Sequence, residues 1–491
     1  MRAIESKELR IVGFLCNWCS YGGADTAGVG RFSQPTDLRI IRVPCSGRID
    51  PLFIVKALLH GADGVLVSGC HPRDCHYSQG NFYARRRLET LKRFLPILGI
   101  DPSRFEYTWV SASEGQRWQK VVTSFTERIH ALGKAPRYEE AETPAVPSWG
   151  ARVDPESAAA CLPTDGKDPP PDLGTLKDRI KDALPGLECV IGWEQGFDPL
   201  HCAPLFIRSP EDVERLVWNP FNLQNPSTYL PSLKGKKVGV VVKGCDSRSL
   251  VELLQEKLVN REDLTIFGMP CSGVADLSKV GNILENLGAS IERVQSVAVR
   301  GGTLSVTVDG NAYPIPMVRA AADKCLHCRF PNALLSDHFV GEPISPARGG
   351  NLSPDLAALD AMDLRERMDF WRFHMERCIR CHACRNVCPL CVCQDHCIAQ
   401  SRSPHWISQE DTVTEKVFFQ VVHAVHTAGR CTECGECERV CPMGIPLLAM
   451  KRHMNRMIRE LFGYSAGTDP QAVPPLLTFQ ADEKNIGEES L

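Results

Sequence analysis

The sequence predicts a mixed α/β protein in three parts: an N-terminal domain on a parallel sheet, a second α/β domain, and a mostly helical, cysteine-dense region. Three observations lead there. Short apolar runs alternate with stretches of helical apolar spacing over residues 1–133, which predicts a parallel sheet covered by helices. A proline-rich break follows, and the same alternation resumes beyond it. At 491 residues the chain exceeds what one hydrophobic core serves, and 43% hydrophobic with 23% charged content excludes wholesale disorder.

In chain order, strands are predicted at 9–15, 38–43, 64–68 and 105–110, and helices at 51–60, 81–98 and 114–132. Residues 134–184 read as a linker, with prolines at 136, 144, 147, 155, 163, 169, 170 and 171. The second domain, 185–345, carries strands at 237–242 and 264–269. It also has a helix at 249–259 and a hairpin over 296–315 turning at Asp309-Gly310. A connection at 346–365 leads to the helical region, 366–465, and then a tail, 466–491, expected to be frayed.

Several function classes fall away. A net charge of −3 without a basic stripe makes nucleic acid a poor partner. No apolar run reaches the length of a membrane span, and the start reads as a strand rather than a signal peptide. The expected location is therefore the cytoplasm. Neither a Walker loop nor a Gly-x-Gly-x-x-Gly after a strand is present. The 23 cysteines then point to reduced, metal-holding thiols rather than disulfides.

Cys378, Cys381, Cys384 and Cys388-Pro389 form the run C-x-x-C-x-x-C-x-x-x-C-P, and Cys431, Cys434, Cys437 and Cys441-Pro442 repeat it. Three thiolates spaced by two residues wrap one corner of an iron–sulfur cube, and the fourth, leaving the loop, serves the other cube. One 4Fe-4S cluster is therefore expected on Cys378, Cys381, Cys384 and Cys441. The second is expected on Cys431, Cys434, Cys437 and Cys388. Structural zinc prefers two separated pairs and suits this spacing badly. Residues 389–430 make an unusually long spacer, and its Cys391, Cys393 and Cys397 read as spare thiols or as ligands of something further.

In the first domain Cys16, Cys19, Cys45, Cys70 and Cys75 fall at the carboxyl ends of three predicted strands, the edge where parallel sheets bind ligands. Four of the five suit a 2Fe-2S centre, with 4Fe-4S not excluded by spacing. The alternative is a redox dithiol at Cys16–Cys19. His71 and His76 invite a Rieske comparison, but five thiols make them neighbours rather than ligands. Cys245, Cys271, Cys325 and Cys328 make a similar set in the second domain, for a third 4Fe-4S cluster, a zinc site or buried thiols. Cys161, Cys189 and Cys202 lie in linker-like sequence and are not expected to be ligands. Arg85-Arg86-Arg87 with Lys92-Arg93 form a basic patch, either docking an acidic partner or simply solvated.

The blocks CNWCSYGGAD, RVPCSGRID and GCHPRDCHY resemble the delta subunit of methyl-viologen-reducing hydrogenase, an iron–sulfur protein passing electrons into heterodisulfide reductase. The segments KGCDSRSLVELL, GMPCSGV and CLHCRFPNALLSDHFVG are similar to the beta subunits of deazaflavin-reducing hydrogenases and formate dehydrogenases. That resemblance implies a 4Fe-4S cluster and FAD, although no flavin-contacting residue is identifiable. The last part, including CPMGIPL, resembles dicluster ferredoxin regions of heterodisulfide-reductase-associated carriers. Together these imply a non-catalytic electron-transfer subunit of an anaerobic oxidoreductase complex. Its partners would be a hydrogenase, formate dehydrogenase or NADH-oxidising flavin subunit on one side and a heterodisulfide-reductase-like subunit on the other. The alternative is a flavin-dependent oxidoreductase acting on a deazaflavin or nicotinamide. A cluster-based sensor is the third class, but no effector-binding module accompanies it.

Overall fold

The computed structural model describes residues 9–140, 172–326, 328–345, 354–393, 396–483 and 486. Most of the proline-rich stretch, with Cys161, and residues 346–353 lie outside the described residues.

The first domain runs β1 (Ile11–Cys16), α1 (Ser20–Val29), β2 (Leu38–Val43), α2 (Pro51–Leu59), β3 (Gly64–Gly69), α3 (Gly80–Phe94), β4 (Phe105–Trp109) and α4 (Gly115–Leu132). Its four strands are all parallel in the order β2-β1-β3-β4. Central β3 is buried along its whole length, as its unbroken apolar run requires, whereas edge strand β2 leaves Ile40 and Ile41 exposed. Asp50 starts α2 by accepting a bond from the Leu52 amide at 2.9 Å, with Pro51 in the first turn. In-register pairing of Cys16 with Val43, and of Gly69 with Trp109, brings the strand ends to one edge.

The second domain begins with α5 (Leu173–Ala183), β5 (Cys189–Gln195), β6 (Cys202–Ile207) and α6 (Pro210–Glu214). It continues through β7 (Val238–Val242), α7 (Gly244–Gln255), β8 (Leu264–Gly268) and α8 (Leu277–Asn286). Then come β9 (Val294–Arg300), β10 (Thr303–Val308), β11 (Asn311–Pro316), α9 (Met317–Ala320) and β12 (His338–Phe339). The main sheet is ordered β12-β8-β7-β5-β6, parallel except for β6. Three expectations change here. Cys189 and Cys202 are strand residues rather than linker, because β5 and β6 are sealed by partners the local sequence does not reveal. The helix expected at 249–259 begins at Gly244, directly off β7. The hairpin is a three-stranded meander, since Gly301-Gly302 makes a second left-handed turn besides Asp309-Gly310.

The last part contains α10 (Pro354–Asp360), α11 (Leu364–Glu376), α12 (Ala383–Asn386), α13 (Val413–His426), α14 (Glu436–Arg439) and α15 (Leu447–Phe462). It shares one core with the first domain, in which Phe94 and Leu98 lie with Trp371, Phe418 and Met450. The Trp371 indole donates to the Ile97 carbonyl at 2.7 Å.

The tail is not frayed over its described residues, and it covers Arg85 and Arg86 of the basic patch, whereas Arg93 is exposed. Buried Arg86 pairs with buried Glu483 at 2.5 Å and donates to the carbonyls of Pro475 and Thr478. Arg85 donates to the Gln480 and Ala481 carbonyls, and Phe479 stacks on Phe82. Removing one partner of such a buried pair costs about 3–5 kcal/mol.

A second buried carboxyl joins α7 to the C-terminal part. Glu252 accepts bonds from the Tyr464 hydroxyl at 3.1 Å and the Gly467 amide at 2.5 Å. Burial pushes its carboxyl up from 4.5 to about 7. The folded chain therefore keeps a proton that the unfolded chain releases, so stability falls as pH rises from 4.5 to about 7. Glu252→Gln is expected to flatten this slope in melting curves and to add up to about 3 kcal/mol above the window.

Candidate metal centres

Five thiols meet at the strand ends of the first domain. Cys16 is the last residue of β1, Cys19 stands before α1, Cys45 follows β2, and Cys70 and Cys75 follow β3. The sulfurs of Cys16 and Cys70 are 3.7 Å apart, as are those of Cys45 and Cys75, and Cys19 lies within electrostatic reach of Cys16, Cys70 and Cys75. The Ser20 amide donates to Cys16 Sγ at 3.3 Å and the Gly47 amide to Cys45 Sγ at 3.4 Å. Hydrogen bonding from Cys70 draws the Cys16 thiol down to about 5, whereas burial pushes Cys45 up to about 11. His71 is engaged by Glu114 at 2.7 Å, and His76 stacks on Trp18 at 4.0 Å.

Gly80 closes this nest. A Cβ there would stand 2.4 Å from Cys45 Sγ and 3.4 Å from Cys75 Sγ. Gly80→Ala is therefore expected to abolish whatever metal signal this set carries while leaving the other sets loaded, as read by iron content and electron paramagnetic resonance.

The second set lines one cavity of about 800 Å³. Cys245 comes from the first turn of α7, Cys271 from the loop after β8, and Cys325 and Cys328 from the segment beyond α9. Burial pushes the Cys271 thiol up to about 12 and Cys328 to about 11. The Val274 amide donates to Cys325 Sγ at 3.3 Å. Thr432 and Glu433 of the C-terminal motif complete the lining, so this cavity opens onto the neighbouring thiol set.

The two C-terminal motifs share one backbone design. Residues flanking the middle cysteine of each triple, Arg380 with His382 and Glu433 with Gly435, all have positive φ, which winds the loop around one point. The fourth cysteines cross over. Cys441 acts electrostatically on Cys378 and Cys384, and Cys388 acts on Cys431, Cys434 and Cys437. Cys381 stands exposed at the rim. The Gln420 amide spans Cys378 and Cys384 at 3.9 Å from each.

Local sequence offered no signal for two buried lysines. Lys324 donates to the Cys434 carbonyl at 2.7 Å and lines the 800 Å³ cavity. Lys451 bonds His423 Nε2 at 3.0 Å and Thr427 Oγ1 at 3.2 Å. Burial opposes both charges, but the surrounding thiols and, at Lys324, Glu436 outweigh it, so both amines are held above their ordinary range. Two fixed cations thus stand among the thiol sets, as anionic metal–sulfur groups require. Among the described residues no three His, Cys, Asp or Glu side chains close around a single ion, and the sets are wider than that.

Three family models match different stretches of the chain. Residues 11–133 match the family model of the methyl-viologen-reducing hydrogenase delta subunit. Residues 235–388 match that of the C terminus of the coenzyme F420 hydrogenase/dehydrogenase beta subunit, and residues 374–445 match that of the 4Fe-4S dicluster domain. An iron-sulfur subunit of the F420-non-reducing hydrogenase vhc of Methanococcus voltae is 54% identical over 129 residues, covering 26% of this chain and 90% of that protein. One subunit of the ferredoxin:CoB-CoM heterodisulfide reductase of Methanosarcina mazei is 47% identical over 123 residues, 25% of this chain but 16% of that protein. A chain of the F420-reducing [NiFe] hydrogenase complex from Methanosarcina barkeri matches with a TM-score of 0.29 and 19% identity, covering 43% of this chain and 78% of that one. No helix among the described residues is long and apolar enough to cross a membrane.

Proposed function

The chain belongs, through residues 11–133, to the family of methyl-viologen-reducing hydrogenase delta subunits, and from that premise we propose that it is the electron-relay subunit of an anaerobic oxidoreductase complex. It passes single electrons between a hydrogenase, formate dehydrogenase or NADH-oxidising flavin module and a heterodisulfide-reductase-like partner. An iron–sulfur cluster, when bound, supplies reversible one-electron storage without moving atoms. The chain's own work is to hold, space and tune. The observation that carries the proposal is adjacency: Thr432, Glu433 and Lys324 join the cavity of the middle thiols to the loop of Cys431, Cys434 and Cys437.

On this reading residues 1–133 hold a 2Fe-2S centre, residues 185–345 one 4Fe-4S cluster, and residues 366–465 two more. A tetrahedral metal with sulfur bonds of about 2.3 Å puts two thiolates about 3.8 Å apart. The Cys16–Cys70 and Cys45–Cys75 pairs, each 3.7 Å, therefore suit two irons with two thiolates apiece, and Cys19 is the spare. Gln420 and the amides of Ser20 and Gly47 donate to thiol sulfurs, which raises potentials. Thiols kept reduced in such numbers suit the cytoplasm.

The test is anaerobic purification with iron, sulfide and flavin analysis and electron paramagnetic resonance. Signals of both 2Fe-2S and 4Fe-4S type are expected. Zinc in place of iron, or absence of inorganic sulfide, would overturn the proposal. Bound flavin with unaided reduction of a nicotinamide or deazaflavin would replace it with a flavin enzyme.

A further inference from the structure

Cys391, Cys393 and Cys397, from three positions of the long spacer, converge on one cavity of about 390 Å³. Its other walls include Arg385, His423 and Arg430. Cys393 and Arg385 both lie within electrostatic reach of Cys397, and Cys391 within that of Cys388. We propose that this cavity is a further iron–sulfur site, holding a cluster on the three thiolates Cys391, Cys393 and Cys397.

His423 decides the class of occupant. Its ring is 5% exposed and lines the cavity, and its Nδ1 has no partner. Its Nε2 is taken by the Lys451 ammonium, which can only donate. Nε2 therefore accepts, and the neutral ring carries its proton on Nδ1. That places a buried, unsatisfied N–H donor in a cavity whose anchors are three thiols, and a buried donor left without an acceptor costs about 1–3 kcal/mol. The Arg385 Nε is likewise buried without a partner. Arg430 adds positive charge although it already pairs with Glu256. An occupant that binds thiolates and brings hydrogen-bond acceptors of its own suits this lining best. A zinc ion brings no acceptor atoms and would leave only the three thiolates to accept from these donors. The sulfides of an iron–sulfur cluster accept N–H bonds. The spacing agrees, because C-x-C followed by x-x-x-C lacks the paired C-x-x-C of zinc sites. With three thiolates and no fourth assigned, one iron would take a ligand from outside these residues or be missing.

The site lies beside Cys388, so it extends the relay, and it rests on the reading of the chain as a cluster carrier. The test compares the full chain with its Cys391→Ser/Cys393→Ser/Cys397→Ser variant, both purified anaerobically. The variant is expected to lose about three or four irons and about four sulfides per chain while keeping the ferredoxin-type signals. Equal iron in both proteins, or loss of zinc instead, would overturn the site. Absence of ferredoxin-type signals in the parent would instead sink the broader function. A second measurement needs no variant. Cys393 is exposed, yet in the native parent it should resist alkylation until a chelator strips the iron. Prompt alkylation, or a Cys393–Cys397 disulfide in the anaerobic parent, would refute the proposal.

Discussion

A Cys388→Ser chain is expected to lose the cluster of the opposite motif and to keep the one beside it in sequence. Cys388 closes the first C-x-x-C-x-x-C run, so a purely local view would assign it to Cys378, Cys381 and Cys384. The fold turns it the other way, toward Cys431, Cys434 and Cys437. Cys441 reciprocates beside Cys378 and Cys384. Loss of one thiolate of four should cost about four irons and sulfides. It should also remove the station next to the middle cavity, so electrons entering at one end no longer reach the other. The reading comes from iron content and from which ferredoxin signal survives a matched Cys378→Ser control. If Cys388→Ser and Cys378→Ser erase the same signal, the crossed assignment is wrong.

Lys451→Met is expected to lower the potential of the cluster on Cys431, Cys434, Cys437 and Cys388. The ammonium is 3% exposed and stands among Cys388, Cys437 and Cys431. A unit charge within about 8 Å at an effective dielectric near 20 is worth about 2 kcal/mol, or about 90 mV for a one-electron couple. Removing a cation destabilises the reduced, more negative state, so the midpoint moves down. Redox titration followed by electron paramagnetic resonance checks both sign and size. An unchanged midpoint with intact iron would show that the charge is screened. Methionine preserves the length of the stem, so the packing of α15 survives, although His423 and Thr427 lose a donor.

Much of this was legible in the residues. The strands of the first domain lie within a residue or two of where alternation predicts them, because a fully buried parallel strand must be apolar throughout. The convergence of Cys16, Cys45 and Cys70 followed from the same topology, since parallel strands end on a common edge. Strands β5 and β6 were missed because Cys189 and Cys202 read as linker-like sequence. One face of β5 is buried by β7, α7 and the 3₁₀ segment at 226–233, while β6 packs with α5, Val213 and Phe221. The arginines of α3 looked like a surface for another molecule because their real partner, the tail, lies nearly 400 positions away.

Short-range spacing determines what each thiol run is able to cage, since three sulfurs two residues apart face one point however the rest of the chain is arranged. Tertiary packing alone decided which thiol sets stand side by side, and where Lys324, Lys451 and His423 project among them. Those outcomes depend on helices and loops meeting across the chain, and a buried charge or an orphaned N–H becomes visible only once its surroundings are assembled around it.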